Sequence, residues 1–259
     1  LLIDKTRKLK ISSDKYKKNY QELENKEICI FIVGLPRCGS TLVESIISLN
    51  SQVTDLGEVN IFEEAYREYL QSDHNLNLSE IYIKKARILK PKGKITTNKW
   101  LFNYQYAGII AKAIPNAKII HCFRNPLDNI LSIYRSHFRT GNTFSSSLSD
   151  CAEVYSDQED IMETYKKKFR KKIYDLNYDK LVTNPLEEIK SLILWLGWDW
   201  TDSYLSPHLN NRKVLTRSNV QVRSPINSRS VGGWKNYKNM LEPSIKILLN
   251  HDKYKELIL

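Results

Sequence analysis

Residues 28–33 read Ile-Cys-Ile-Phe-Ile-Val, the unbroken apolar run expected of a strand buried on both faces of a parallel sheet. Directly behind it comes Gly34-Leu35-Pro36-Arg37-Cys38-Gly39, a turn bounded by two glycines. Residues 40–49 then place Leu42, Val43, Ile46 and Ile47 on one helical face. Strand, glycine-bounded loop and helix in direct succession point to an α/β fold. They also point to a phosphate cradle, because backbone N–H groups converge at a helix N-terminus whose dipole favours negative charge. An incidental turn after a strand is the plain alternative.

The rest of the chain repeats the alternation. Strands are expected at 53–56, 94–98, 118–123 and 172–178, and helices at 60–70, 79–89, 102–113, 151–169 and 185–196. Asn125 and Pro126 open a further helix as cap and first residue, with Leu127, Ile130, Leu131 and Tyr134 as its apolar stripe. Residues 71–78 and the Ser-rich 141–149 read as loops, and short helices are expected near Trp234 and from Pro243 onward. Neither internal repeat nor low-complexity linker interrupts the pattern. The expectation is one α/β domain over 1–259, a P-loop NTPase-like parallel sheet flanked by helices, with 1–27 as a basic helical extension.

Composition narrows the partners. Forty Lys and Arg against 29 Asp and Glu give a formal charge of +11, which favours anionic partners such as nucleotides or acidic polymers. Part of the excess is N-terminal, at Lys5, Arg7, Lys8, Lys10, Lys15, Lys17 and Lys18, where a polar helix or arm accounts for it. No nucleic-acid-binding signature accompanies the charge, so no nucleic acid is expected. No apolar run approaches the ~20 residues of a bilayer span, and no leader pattern is seen, so a cytoplasmic protein without membrane insertion is expected. The chain does not begin with Met, which leaves room for an upstream segment. Cys29, Cys38, Cys122 and Cys151 lie far apart, without metal-site spacing to a His. Cys29 and Cys122 sit in apolar runs and read as core thiols.

The loop comes close to the pattern GxxxxGK[ST], but Ser40 stands where the lysine is required before Thr41. Without that lysine the loop lacks the cation that reaches the β/γ-phosphates in phosphoryl transfer. Arg37 supplies positive charge three residues earlier. A second candidate anion site follows the strand at 118–123, where Arg124 ends the strand and Ser132 lies two turns into the next helix.

Together, Pro36-Arg37-Cys38-Gly39-Ser40-Thr41 and Arg124 with Ser132 eight residues on resemble the two phosphate motifs of sulfotransferases that use 3′-phosphoadenosine-5′-phosphosulfate (PAPS). Tyr178 in Leu176-Asn177-Tyr178-Asp179-Lys180-Leu181 is similar to the family's segment near the adenine. Ser218 to Ile226, followed by Trp234, is similar to its nucleotide-covering region. The resemblance is strongest to the tyrosylprotein sulfotransferases and to bacterial sulfotransferases fused to helical repeats. It implies the sulfotransferase fold, with PAPS as donor, 3′,5′-adenosine diphosphate as product and no metal.

It also implies roles. Arg37 and the N–H groups of Cys38, Gly39, Ser40 and Thr41 would hold the 5′-phosphosulfate, with Ser218 touching the same group. Arg124 and Ser132 would hold the 3′-phosphate. The catalytic His of the cytosolic type has no counterpart, whereas Glu58 matches the base of the tyrosylprotein branch and Lys99 the lysine on the leaving oxygen. On the residues alone, Glu58 also reads as a solvated acid before a helix and Lys99 as a surface lysine. Gly233 replaces the basic residue expected before Trp234, with Lys235 or Arg229 as substitutes. The acceptor is a hydroxyl, on an acidic peptide, a glycan or a small alcohol, and the loop at 141–149 is the candidate acceptor rim. Two rival readings are a P-loop kinase or NTPase, and a non-catalytic nucleotide-binding module.

Overall fold

Five parallel strands form one sheet in the order β2-β3-β1-β4-β5. They are β1 (Ile28–Gly34), β2 (Val53–Asp55), β3 (Ile95–Asn98), β4 (Ala117–Phe123) and β5 (Ile173–Asn177). The computed structural model describes residues 2–16, 27–90, 94–136, 138, 142–210 and 223–258. The parallel α/β sheet expected from the alternation is present.

Both faces of β1 are covered, which is why its sequence shows no polar alternation. Cys29, Phe31 and Val33 pack into a core with Phe62, Tyr82, Ile110 and Ile130. Ile30 and Ile32 face the opposite core with Val43, Ile46, Ile120 and Ile193. The helices packed on the sheet are α2 (Ser40–Ile47), α3 (Ile61–Gln71), α4 (Leu78–Leu89), α5 (Ala107–Ala113), α6 (Pro126–Tyr134), α7 (Leu148–Lys168), α8 (Tyr178–Thr183) and α9 (Pro185–Leu196), each with side chains in one of the two cores. A first helix, α1 (Leu2–Lys15), and two last ones, α10 (Glu242–Leu248) and α11 (Asp252–Ile258), complete the α-helices among the described residues.

Several boundaries differ from the pattern. Residues 101–106 wind as a 3₁₀ helix and only Ala107–Ala113 is α-helical. Aromatic Phe102, Tyr104 and Tyr106 have weak helix propensity, and burial of the two tyrosines sets the local winding. β5 stops at Asn177, whose side chain caps α8 by accepting from the Lys180 N–H at 3.1 Å, so Tyr178 opens a helix instead of ending a strand. Within 141–149, Thr143–Ser146 is a 3₁₀ turn and Ser147 caps α7, whose first residue is Leu148. Of the N-terminal basic segment, Leu2–Lys15 form α1, and Gln105 and Lys112 bond its backbone, while Gly108 leaves space for Ser13 and Tyr165.

Candidate active site

The carboxyl ends of β1, β3 and β4 bring the expected residues to one rim. Gly34 pairs in register with Cys122 at the end of β4, so the loop after β1 begins level with the approach to Arg124. Arg37 takes φ +69 and Gly39 φ +95, two left-handed residues that curl the loop back toward α2. A Cβ on Gly39 would lie 2.2 Å from Cδ2 of Tyr178, so only glycine lets that ring approach. Gly39 is the N-cap of α2 and, lacking a side chain, leaves the first turn without a side-chain cap. Two bonds tie the loop to α6: Asn129 Nδ2 donates to Pro36 O at 2.9 Å, and Arg37 Nε donates to Ser132 Oγ at 3.1 Å. Ser132 therefore meets the cation of the first motif as well as belonging to the second. The Cys38 N–H closes the turn onto Leu35 O at 3.3 Å. The Cys38 thiol is buried, and contact with the Cys122 thiol pulls it down to about 7 against the opposing effect of burial.

Arg124 is 6% exposed and is surrounded by oxygen. Its Nη2 donates to Ser230 O at 2.5 Å, with Asp128 Oδ2 at 3.8 Å and Asp179 Oδ1 at 3.9 Å. The guanidinium lies over the Tyr178 ring, 4.8 Å from its centroid, and Tyr178 OH meets Ser230 Oγ at 2.9 Å. Burial raises Asp179 from its ordinary value, while the Asn125 N–H and Arg124 oppose the rise. A cavity of about 480 Å³ opens here, lined in part by Phe123, Arg124, Asn125, Tyr155, Asp179 and Val231.

Glu58 and Lys99 form the third group. The β2–β3 ladder continues past the strands, Leu56 N bonding Thr97 O at 2.8 Å and Lys99 N bonding Gly57 O at 3.0 Å. That continuation sets the two side chains abreast, and Lys99 Nζ donates to Glu58 Oε1 at 2.6 Å. Lys99 is no surface lysine: it is 1% exposed, whereas Glu58 is 48% exposed and open to an incoming group. A second carboxylate, Glu44 on α2, stands 3.8 Å from Lys99 Nζ and is 2% exposed. Glu44 follows the phosphate loop closely enough to place Lys99 within one or two turns of that loop.

Sequence reasoning missed Glu44, Asp128 and Ser230, each of which meets an expected site residue, and Asn129, which ties Pro36 of the loop. The available signal was position: Glu44 lies in the helix that follows the phosphate loop, and Asp128 and Asn129 lie between Arg124 and Ser132. Ser218 lies outside the described residues, as does His137. Arg229 and Lys235 are exposed, while a Cβ on Gly233 would sit 3.7 Å from Asp128 Oδ1. His121 is fully buried between Asp175 at 2.9 Å and Glu159 at 3.3 Å, a structural position.

A model of the sulfotransferase family matches residues 29–202, more than half of the chain. The chain belongs to the sulfotransferase family. The chain is 32% identical over 242 residues to an uncharacterized protein of Aquifex aeolicus, covering 85% of this chain and 32% of that protein. Protein-tyrosine sulfotransferase 1 of Danio rerio is 24% identical over 240 residues, covering 81% of this chain and 66% of the relative. This sulfotransferase-family chain thus spans less than two thirds of these relatives. Its fold is similar to a sulfotransferase domain from the curacin biosynthetic pathway, with TM-score 0.59 and 16% identity over 86% of this chain and 97% of the other. It is also similar to mouse sulfotransferase SULT7A1 complexed with PAP, with TM-score 0.56 and 20% identity over 94% and 90%. Among the described residues, no helix is long and apolar enough to cross a membrane, and no three His, Cys, Asp or Glu gather as metal ligands would.

Proposed function

We infer that this chain transfers a sulfuryl group from PAPS to an acceptor hydroxyl. The observation that carries the reading is the buried Lys99 bonded at 2.6 Å to the half-exposed Glu58, beside the helix that the phosphate loop opens. An ammonium is costly to bury unless it has work and partners. Here it is held where negative charge would develop on a leaving oxygen, with a carboxylate beside it that reaches solvent.

The residues fit such a nucleotide on their own geometry. Arg124 Nε is buried without a hydrogen-bond acceptor, the Asp128 and Asp179 carboxylates standing at 3.8 and 3.9 Å from the guanidinium, so one N–H donor is left for a ligand oxygen. Gly39 keeps a cradle against Tyr178 that a Cβ would fill. Arg37 and the N-terminal turn of α2 would hold the 5′-phosphosulfate, and Arg124 with Ser132 the 3′-phosphate. PAPS supplies an activated sulfuryl group and departs as 3′,5′-adenosine diphosphate. Glu58 accepts the proton of the attacking hydroxyl as its oxygen bonds to sulfur, and Lys99 donates a hydrogen bond to the bridging oxygen as the S–O bond breaks. Likeness to the protein-tyrosine sulfotransferases supports a peptide hydroxyl as acceptor, and the +11 charge supports acidic flanking residues. The whole of 1–259 is read as one transferase domain, acting without a metal.

Calorimetry with 3′,5′-adenosine diphosphate, PAPS and ATP, without metal, tests the donor. Wild type is expected to prefer the 3′-phosphorylated nucleotides, and Arg124→Ala to lose that preference. Tighter binding of ATP would move the assignment to a P-loop kinase. Binding of none would leave a non-catalytic module.

A further inference from the structure

Residues 228–234 cross the rim beside Arg124, and one carboxylate ties two of their amides. Asp128, buried in the first turn of α6, accepts from the Gly232 N–H at 2.6 Å through Oδ2 and from the Trp234 N–H at 2.9 Å through Oδ1. Gly232 takes φ +74, a left-handed conformation that turns the two amides onto one carboxylate. An acid at a helix start ordinarily complements the dipole. Both oxygens of this one are engaged by a segment more than one hundred residues away, at separations of 104 and 106.

Ser230 lies inside the strap so formed. Its carbonyl accepts from Arg124 Nη2 and its hydroxyl meets Tyr178 OH at 2.9 Å. Asp128 also stands 3.8 Å from Arg124, so one carboxylate orients both the guanidinium and the strap. Arg124 Nε remains buried without an acceptor, Asp179 Oδ1 lying beyond hydrogen-bond reach at 3.9 Å. The Ser230 hydroxyl, the Arg124 guanidinium and the Tyr178 phenol are thereby joined in one cluster that still holds an N–H donor without an acceptor.

We propose that Asp128 is a positioning residue for the nucleotide's 3′-phosphate, pinning the strap so that the Ser230 hydroxyl joins Arg124 in one anion pocket. Ser230 thereby supplies the contact that a basic side chain at Gly233 would otherwise make. The charge of Asp128 is taken up by Arg124 and two N–H groups, so its effect on the phosphate is to shape the pocket. The inference rests on the PAPS reading above.

Calorimetry on the whole chain with 3′,5′-adenosine diphosphate and with adenosine 5′-monophosphate separates the two. These nucleotides differ only in the 3′-phosphate, so the ratio of their affinities reads that pocket. Asp128→Ala is expected to weaken the diphosphate by about tenfold or more while the monophosphate stays within about twofold. Ser230→Ala reproduces part of the loss. Asp128→Asn falls between, because its amide NH₂ faces one strap N–H that the carboxylate accepted. Equal weakening of both nucleotides would show a general structural role and overturn the proposal, as would an unchanged ratio. A wild type that does not distinguish the nucleotides would overturn the donor assignment itself. Should Asp128→Ala fail to fold, Ser230→Ala and Asp128→Asn read the same ratio.

Discussion

At the scale of single residues, Lys99 shows how burial turns a common side chain into a specific one. Its ammonium is enclosed by Glu44 and Glu58, and deleting it strands a carboxylate that is 2% exposed. Lys99→Met is expected to abolish turnover and to lower stability by about 3–5 kcal/mol, the usual cost of breaking a buried pair. Adding Glu44→Gln should recover part of that stability without recovering turnover, as read by urea unfolding and a sulfuryl-transfer assay. If the double variant is no more stable than the single one, Glu44 is not the stranded partner. The type of residue at 99 was legible in the sequence, yet its burial was not, because nothing local distinguishes it from the many exposed lysines.

Among elements, β4, β5 and α7 are joined through His121. Its ring meets Asp175 on β5 at 2.9 Å and, on α7, Glu159 at 3.3 Å and Gln158 at 2.8 Å. Lys166 faces the same Asp175. Burial alone would lower the histidine, but Glu159 and Asp175 more than reverse this and raise it to about 9. A folded value above the unfolded one of about 6.5 means that the charged ring stabilises fully below that pH. The contribution, about 3 kcal/mol at most, is lost as pH rises through about 9. Urea unfolding between pH 6 and 10, extrapolated to water, should show this decline, and His121→Asn should flatten it. Parallel slopes in the two proteins would count against a charged ring. The periodic elements were readable because burial on two faces and helical spacing leave marks in short windows of sequence. The 3₁₀ start at 101–106 and the turn from β5 into α8 at Tyr178 were not, since side-chain packing and an Asn cap decided them.

For the molecule as a whole, the +11 charge is a long-range property that no single contact expresses. Binding of a nucleotide with two phosphate groups should weaken several-fold between about 0.05 and 0.5 M NaCl, because screening shortens the reach of the field to a few ångströms. Titrations at three salt concentrations would show it, and a flat response would mean that only the local cations at Arg37 and Arg124 matter.

The sequence by itself determined the α/β alternation, the glycine-bounded loop without its lysine, and the candidates Arg37, Glu58, Lys99, Arg124, Ser132 and Tyr178. Those features reside in spacing and residue chemistry, which the chain carries whether folded or not. Only the tertiary structure decided that Arg37 reaches Ser132, that Glu44 backs Lys99, and that Asp128 clamps Ser230 over Arg124. Such pairings span from about fifty to over one hundred residues, and the sheet register that creates them is a property of the assembled core.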